Sequence, residues 1–472
     1  MDDAFDDELN GDDKKEHKDH TWYDYRLFSG PGELQGLVST VACLVDRAER
    51  ASGLRQRARR PKDEASFLLA LDNLVSNLSY VIVKWNDPRP LVVSRKKGCT
   101  RDRNTRNLPV KTFLSCLDAL ILSGLVDQKL GAEGGRTTTI EPTPALLSMI
   151  RGQVLSFGSF RREPEDALVV LKRVTKVEGQ GRPQKPRRDP VPLPFSPEVR
   201  AMSDQIAGLN AFLKDADLSF IDDGLIPQVD TAHYRTLVRT FTIRGGQDIR
   251  LDQGGRLYGQ TFWLNLASER RSGLRIDGEP VADLDFVNLG PRIGYALLGQ
   301  EPPSGDLYDL SGLLPGYDHS NRDHRRAIKQ AFAACLNGGA GGSRGINQRT
   351  GKPGILAPLP AGTTAAKVRA AIFEKHPGFE VFYERAKAGE VAVGFAIMFK
   401  ESCILLSALE RLKDEGVVGL PFHDGLMVAR SKAQIAKDTL TAASRDVLGV
   451  ELIVELKAVY GEPELASQLI AA

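Results

Sequence analysis

Apolar residues recur at helical spacing in two stretches of the first third of the chain. Residues 65–81 and 109–122 each repeat an apolar side chain every three or four positions, which predicts two amphipathic helices. Gly124 follows the second stretch, and glycine is common just past a helix C-terminus because it tolerates the left-handed conformation. The apolar positions are Phe67, Leu68, Leu71, Leu74 and Leu78 in the first helix, and Phe113, Leu114, Leu117, Leu120 and Ile121 in the second.

Beyond the second helix the pattern changes to that of strands. Residues 125–130 and 137–140 are typical of two strands, with turn residues at 132–135 between them, and a further helix is expected over 142–150. Helix, strand, glycine turn and strand resemble the recognition helix and wing of winged helix-turn-helix domains. We therefore expect a winged-helix-like DNA-binding domain over 21–150.

This resemblance implies a role for three basic residues. Arg106, Lys111 and Arg136 would face the phosphates of bound DNA. Winged helices also serve as protein-interaction modules, and that alternative stays open because a fold does not fix a function.

Composition and cysteine usage limit the class of protein. The chain of 472 residues has 42% hydrophobic and 26% charged residues, as in ordinary globular proteins, and suits roughly two to four domains. We expect no membrane span, and an acidic disordered tail rather than a signal peptide over 1–20. The five cysteines are scattered without a CxxC pair, so we expect no disulfide framework and a cytoplasmic location.

Basic residues cluster in three places although the net charge is only +2. The clusters at 45–62, 95–106 and 172–188 suit phosphate contacts, and they suit a solvated surface equally well. The stretch 151–195 is rich in glycine, proline and charge, so we expect a basic linker there, followed by a larger module over 196–472.

The larger module combines a strand, helices and a hairpin. An apolar strand over 281–285 ends at an aspartate, and a basic helix over 325–336 ends in a glycine-rich stretch. Two short apolar runs, 417–422 and 426–429, flank His423-Asp424-Gly425, which predicts a hairpin with an acidic residue at its tip.

Asp285 and Asp424 carry the candidate chemistry, because an antiparallel sheet can hold them side by side. Mg²⁺ prefers oxygen ligands, and two such ions roughly 3.5–4 Å apart can activate an attacking hydroxyl and stabilise a leaving oxygen. Asp283 shares a strand face with Asp285 and is either a third ligand or, as we expect, a surface residue. Lys329 and Arg325 share one helix face and can hold a triphosphate.

These strings resemble motifs A, B and C of the family A DNA polymerases and the related single-subunit RNA polymerases. Motif A carries an aspartate at a strand end, here Asp285. Motif B is Arg, three residues, Lys, seven residues and Tyr-Gly, and Arg325, Lys329 and Asn337-Gly338 fall on these positions. Motif C is His-Asp in a hairpin, here His423-Asp424. The resemblance implies catalytic roles for these residues, with two Mg²⁺ or Mn²⁺ ions held by the two aspartates.

A fourth element precedes the three motifs. The string 255–258, Gly-Arg-Leu-Tyr, is similar to the element whose arginine touches the minor groove of the primer–template, so Arg256 is a candidate nucleic-acid contact. The four elements follow in order over 254–430, and the resemblance does not reach residues 1–200. It implies an α+β fold: an antiparallel polymerase palm with helices and helical fingers, after an N-terminal winged helix-turn-helix.

Two departures from the family pattern concern the sugar of the nucleotide. Five residues after the motif A aspartate, where DNA-making members typically carry glutamate, this chain has Gly290, as the single-subunit RNA polymerases do. Gly290 leaves room for a 2′-hydroxyl, or it only accommodates the backbone. Asn337 replaces a stacking tyrosine and can hydrogen-bond a 2′-hydroxyl. Arg292 is a candidate contact for triphosphate or template, or a buried ion-pair partner.

Other conspicuous residues have expected roles outside the chemistry. Trp263 and Phe262 are expected in the core, and Arg270 and Arg271 on the surface. The pair 401–402, Glu-Ser, is expected to face the primer–template, as polar residues do in the related enzymes.

We therefore expect a template-directed nucleotidyltransferase that makes RNA or primers on DNA during replication of a mobile element, plasmid or phage. Its expected partners are a DNA template or primer–template and nucleoside triphosphates. A compact family A DNA polymerase and a non-catalytic DNA-binding regulator with a polymerase-like body stay open. A metal-dependent phosphohydrolase is disfavoured because the seven histidines are scattered.

Overall fold

The chain is an α+β protein made of two compact units, as expected for the fold class. The N-terminal unit comprises residues 13–166 and 222–235, and the C-terminal unit contains 167–221 and 236–472. The computed structural model describes residues 21–95, 108–131, 137–165, 167–175, 187–339, 341–345, 353–390, 392–422 and 424–460.

The N-terminal unit packs helices against short strands. The helices are α1 (Glu33–Ala51), α2 (Pro61–Trp85), α3 (Val110–Leu122) and α4 (Pro144–Arg151), and the strands are β1 (Thr21–Trp22), β2 (Leu27–Ser29), β3 (Leu91–Val92), β4 (Val126–Lys129), β5 (Thr139–Pro142) and β6 (Phe160–Arg162). The strands pair in the order β1–β3–β5–β4, and β2 pairs separately with β6.

Helix α2 forms the centre of this unit. The predicted apolar stripe is buried at Phe67, Leu71, Leu74 and Leu78, whereas Leu68 is 40% exposed. By length and composition α2 could cross a membrane, but 72% of its apolar window is buried inside the protein. This burial is the pattern of a core helix.

Helix α3 and strands β4 and β5 follow in the order that the spacing predicts. The two strands are antiparallel, with Val126 opposite Pro142 and Lys129 opposite Thr139. Phe113 and Leu117 bury the inner face of α3. The helix–strand–strand order is therefore present, and the assignment of this unit to DNA binding stays a prediction.

Strands occupy part of the stretch 151–195, where composition favours a linker. Besides β6, strands β7 (Val169–Thr175) and β8 (Arg187–Val191) lie there, and β7 pairs in parallel with β10 (Arg235–Arg244) and antiparallel with β8. Alternating apolar residues of β7 pack into a core cluster with β10. The neighbouring glycines and prolines hide this short β-branched signal in the composition.

The C-terminal unit is built around a sheet of antiparallel strands. The remaining strands are β9 (Leu218–Phe220), β11 (Gly254–Thr261), β12 (Leu274–Ile276), β13 (Glu279–Phe286), β14 (Gly419–Pro421), β15 (Gly425–Ala429) and β16 (Val454–Val459), and the helices are α5 (Pro197–Asp215), α6 (Leu289–Leu298), α7 (Arg322–Leu336), α8 (Ala365–Lys375), α9 (Glu380–Lys387), α10 (Val393–Asp414) and α11 (Ala433–Leu448). Helix α10 packs against α11, α6 and β11.

Strand β13 is the centre of that sheet. It pairs antiparallel with β15 along one edge and with β12 and β16 along the other. Val281, Ala282 and Leu284 are buried, as expected for a strand covered on both faces. The C-terminal end of β13 therefore lies between two strands, and this end carries Asp285.

Candidate active site

Asp285 and Asp424 lie at the same end of the central sheet. Asp285 is the pairing partner of Gly425, and Asp424 immediately precedes that glycine. The hairpin is tight, since the Phe422 amide donates to the Gly425 carbonyl at 2.8 Å. A Cβ at Gly425 would lie 2.1 Å from the Leu284 carbonyl oxygen, so the close approach of the two strands requires glycine here.

A lysine lies against these carboxylates. The Lys457 ammonium donates to Asp285 Oδ2 at 3.2 Å. Burial alone would lower the pKa of Lys457, but the charges of Asp285, Asp283 and Asp424 outweigh it and raise the pKa. The sequence pattern gave no sign of this contact, because Lys457 is separated from Asp285 by more than half of the C-terminal unit.

Asp283 is buried, which corrects the expectation of a surface role. It is 4% exposed, accepts a hydrogen bond from the Tyr460 hydroxyl at 3.1 Å and pairs with Arg271 at 3.5 Å. Burial raises its pKa, although Lys457, Arg271 and Tyr460 oppose that shift. Arg271 was expected on the surface, and it instead stacks over the Phe422 ring beside the hairpin.

Trp263 is a core residue, as expected. It is fully buried, and its indole nitrogen donates to the carbonyl of Pro421, the last residue of β14, at 3.0 Å. An indole must satisfy its one donor when buried, and Trp263 does so on the strand that leads into the hairpin. Trp263 thus helps to fix the hairpin that carries Asp424.

Arg325 and Lys329 lie one turn apart on α7, as the spacing predicts. The Arg325 guanidinium pairs with Asp306 at 2.7 Å, and Lys329 is half-buried. His319 approaches the same carboxylate at 3.3 Å. Burial would raise the pKa of Asp306, but the hydrogen bond and charge of Arg325, with the Tyr308 amide and His319, lower it.

Asp306 also connects α7 to the segment after β13. With the Asn288 amide in the orientation that satisfies both of its atoms, its nitrogen donates to Asp306 Oδ1 at 3.1 Å. Arg292 donates through Nε to the Val287 carbonyl at 3.0 Å. Burial lowers the pKa of Arg292, and the charge of Asp306 opposes that shift. The sequence pattern did not predict these contacts of Asp306, which there is simply a carboxylate in the loop between motifs A and B.

Gly290 and Asn337 occupy the ends of two different helices. Gly290 is buried in the first turn of α6. Asn337 follows α7, where its amide nitrogen donates to the Ala333 carbonyl at 2.8 Å and a Cβ on Gly394 would meet its oxygen at 2.7 Å. Gly338 adopts a φ of 73°, the left-handed conformation that suits glycine after a helix.

Arg256 is buried rather than exposed to a groove. It is 2% exposed and pairs with Glu401, which is 3% exposed, through contacts of 2.9 Å and 3.1 Å. A buried ion pair with two contacts is costly to separate because each charge would lose its partner in a low dielectric. A contact of either residue with nucleic acid would therefore require this pair to open.

The chain matches no protein-family model and no curated protein. Functional assignment therefore depends on the residues and their geometry.

The predicted phosphate-facing residues of the N-terminal unit are only partly described. Lys111 is exposed on α3, where solvent or a ligand can reach it. Arg106, Arg136 and the motif C residue His423 lie outside the described residues.

The donors at the sheet end fit a divalent metal ion. Asp285 and Asp424 offer carboxylate oxygens, the ligands that Mg²⁺ prefers. Asp285 already accepts a cation, since the Lys457 ammonium lies 3.2 Å from its Oδ2. This oxygen is thus already in contact with positive charge in the structure.

Proposed function

We propose that this chain is a template-directed nucleotidyltransferase that synthesises RNA or primers on DNA by a two-metal mechanism. The observation that carries the proposal is the pairing of Asp285 with Gly425, which brings the aspartates of motifs A and C to one end of an antiparallel sheet. The order of the four motif-like elements over 254–430 supports it independently. Replication of a mobile element, plasmid or phage would use both units.

In this proposal the two aspartates hold the metal ions. Mg²⁺ bound by Asp285 and Asp424 would activate the attacking 3′-hydroxyl and stabilise the leaving pyrophosphate oxygen. Lys329 and Arg325 offset the charge of the triphosphate from one face of α7. Asp306 holds Arg325 until the more highly charged triphosphate competes for it.

Two residues, Gly290 and Asn337, favour ribonucleotides over deoxyribonucleotides in this proposal. Gly290 has no side chain to close the space beside the sugar C2′. In the family A DNA polymerases that the motifs resemble, a glutamate closes this space. Asn337 adds a polar amide where those enzymes carry tyrosine. Both differences favour a nucleotide site that tolerates a 2′-hydroxyl.

Incorporation of labelled rNTPs and dNTPs on a DNA template, with and without primer, tests this proposal. We expect incorporation of rNTPs, and a loss of rNTP relative to dNTP use in Gly290→Glu. A strong preference of the unmodified chain for dNTPs would refute RNA synthesis and favour a compact family A DNA polymerase.

A non-catalytic DNA-binding regulator is the second candidate function. It is favoured by the internal ion pairs of Arg256 with Glu401 and of Arg325 with Asp306, which engage two cations that template and triphosphate would use. DNA binding without incorporation of any nucleotide would support this candidate over the first.

A further inference from the structure

Lys457 lies at an irregularity of β16 that aims it at the aspartates. Leu456 pairs with Leu284 and Ala458 pairs with Asp283, which leaves Lys457 as the extra residue of a β-bulge. Bulges redirect side chains and are frequent beside functional sites. This bulge occurs where the strand passes the motif A aspartate, and the Lys457 ammonium lies 3.2 Å from Asp285 Oδ2.

The surroundings of Lys457 are predominantly acidic. Asp283, Asp285 and Asp424 all act on its charge, and Glu455 on the same strand pairs opposite Asp285. Arg271 is a further cation beside these aspartates, and it is engaged with Asp283. The three aspartates that act on this ammonium repel each other, so a cation beside them stabilises the arrangement.

We propose that Lys457 is a tethered counter-ion that competes with divalent metal for Asp285, and so keeps the metal affinity of the nucleotide-free protein low. An ammonium and a metal ion seek the same carboxylate oxygen and repel each other, so one must move when the other binds. The Lys457 side chain is 55% exposed on a flexible stem and can withdraw without disturbing the sheet.

Because of this competition, we expect a metal ion to bind more readily together with a triphosphate than alone. A metal ion that arrives alone must displace Lys457 from Asp285. A metal ion that arrives on a triphosphate brings phosphate oxygens as further ligands, and the displaced ammonium then lies beside an anion. Lys457 is therefore a positioning residue for the metal ligands. This inference rests on the proposed function, because it requires Asp285 to be a metal ligand.

A titration of the full chain with Mn²⁺ in the absence of nucleotide tests the inference. Electron paramagnetic resonance measures the free ion and hence the affinity. We expect Lys457→Met to bind Mn²⁺ about three- to tenfold more tightly, since it keeps the stem and removes the competing charge. Lys457→Arg keeps the charge and should bind close to the unmodified level. Lys437→Met, which alters an exposed lysine on α11, is the matched control and should change nothing.

The outcomes separate the inference from the proposed function. If Asp285→Asn leaves Mn²⁺ binding unchanged, the metal site is wrong and the proposed function fails with it. If Asp285→Asn removes binding while Lys457→Met binds no more tightly than the unmodified chain, the metal site stands and the role of Lys457 is wrong.

Discussion

Asp306 is the acidic partner of Arg325, which we propose holds the triphosphate of a nucleotide. It pairs with Arg325, approaches His319 and acts on the charge of Arg292. A triphosphate carries more negative charge than one carboxylate, so it can exchange with Asp306 as the partner of Arg325. The predicted triphosphate contacts are thus held in place by a carboxylate from the chain itself.

Replacing Arg325 tests its role in nucleotide binding. We expect Arg325→Ala to raise the KM for nucleotide by about tenfold, because one charge-assisted contact with the triphosphate is lost. Arg326→Ala is the matched control, since Arg326 is adjacent on α7 but exposed and paired with Asp323. Steady-state kinetics measure the KM for nucleotide of both variants. A KM of Arg325→Ala equal to that of the unmodified chain would assign Arg325 a purely structural role.

We expect the stability of the C-terminal unit to depend on pH through His376. It is fully buried between the Tyr295 hydroxyl, which lies 2.7 Å from Nδ1, and the Leu307 carbonyl, to which Nε2 donates at 2.8 Å. This pairing holds the neutral ring. Burial lowers the pKa of His376 to about 4, against about 6.5 for an unfolded histidine.

The neutral His376 ring contributes to the free energy of unfolding, and we expect this contribution to be fully present above about pH 6.5. It is lost as the pH falls towards 4, by up to about 1.4 kcal/mol per pH unit. Urea unfolding at pH 7 and pH 5 measures it. His376→Gln keeps a donor for Leu307 without titrating, so its stability should fall less between these values. An equal fall in both proteins would contradict this account of His376.

At the scale of elements, the site depends on how closely β13 and β15 approach. A Cβ on Gly425 would overlap the backbone of Leu284, and backbone cannot move aside as a flexible side chain can. The residue that permits the approach is also the one that follows Asp424. The separation of the two aspartates is therefore set by this glycine.

We expect Gly425→Ala to destabilise the C-terminal unit by about 1–3 kcal/mol, as overpacking does, and to abolish nucleotide incorporation. Gly36→Ala is the control, because a Cβ on Gly36 meets nothing and alanine favours the helix α1. Thermal unfolding and incorporation are measured for both. A Gly425→Ala protein with unchanged Tm and activity would show that the close approach is dispensable.

Elements with a strong local period could be predicted from the sequence. The stripe of α2, the helix–strand–strand order from α3 to β5, and the hairpin from β14 to β15 all correspond to runs of regular apolar spacing. Asp285 and Asp424 belong to such runs, so their meeting on one sheet could be anticipated. Strand β7 was missed because glycine and proline around it dominate the composition.

Contacts that depend on distant pairing could not be predicted. Lys457 reaches Asp285 through the register of β16 and its bulge, and neither is encoded in the local period of that strand. The burial of Asp283 depends on Arg271 and Tyr460, which come from segments before and after it in the chain. The pair of Arg256 with Glu401 joins a strand to a helix about a third of the chain later.

At the scale of the whole molecule, the chain combines two units with separate proposed tasks. Residues 222–235 belong to the N-terminal unit although they follow part of the C-terminal unit in the sequence. In this segment Asp230 accepts a hydrogen bond from the Tyr80 hydroxyl at 2.7 Å. His233 accompanies this contact, with Nδ1 3.0 Å from the Asp230 carboxylate. The N-terminal unit is thus completed by a segment from later in the chain.

DNA binding by the N-terminal unit is tested at Lys111. We expect Lys111→Ala to weaken binding of duplex DNA without regard to sequence, and to reduce the slope of log affinity against log salt by about 1. Arg151→Ala, at an exposed arginine at the end of α4 in the same unit and outside the basic clusters, is the control. Fluorescence anisotropy at several salt concentrations measures both, and identical curves for Lys111→Ala and the unmodified chain would refute the contact.

The central claim is that Asp285 and Asp424 hold the metal ions of nucleotidyl transfer. Its most direct measurement is the rate of labelled nucleotide incorporation on a DNA template with Mg²⁺ or Mn²⁺, compared among the unmodified chain, Asp285→Asn, Asp424→Asn and the exposed control Asp414→Asn. We predict that the first two variants lose at least about a hundredfold in rate while remaining folded, and that the control keeps its activity. Folded Asp285→Asn and Asp424→Asn proteins with undiminished incorporation would contradict the claim.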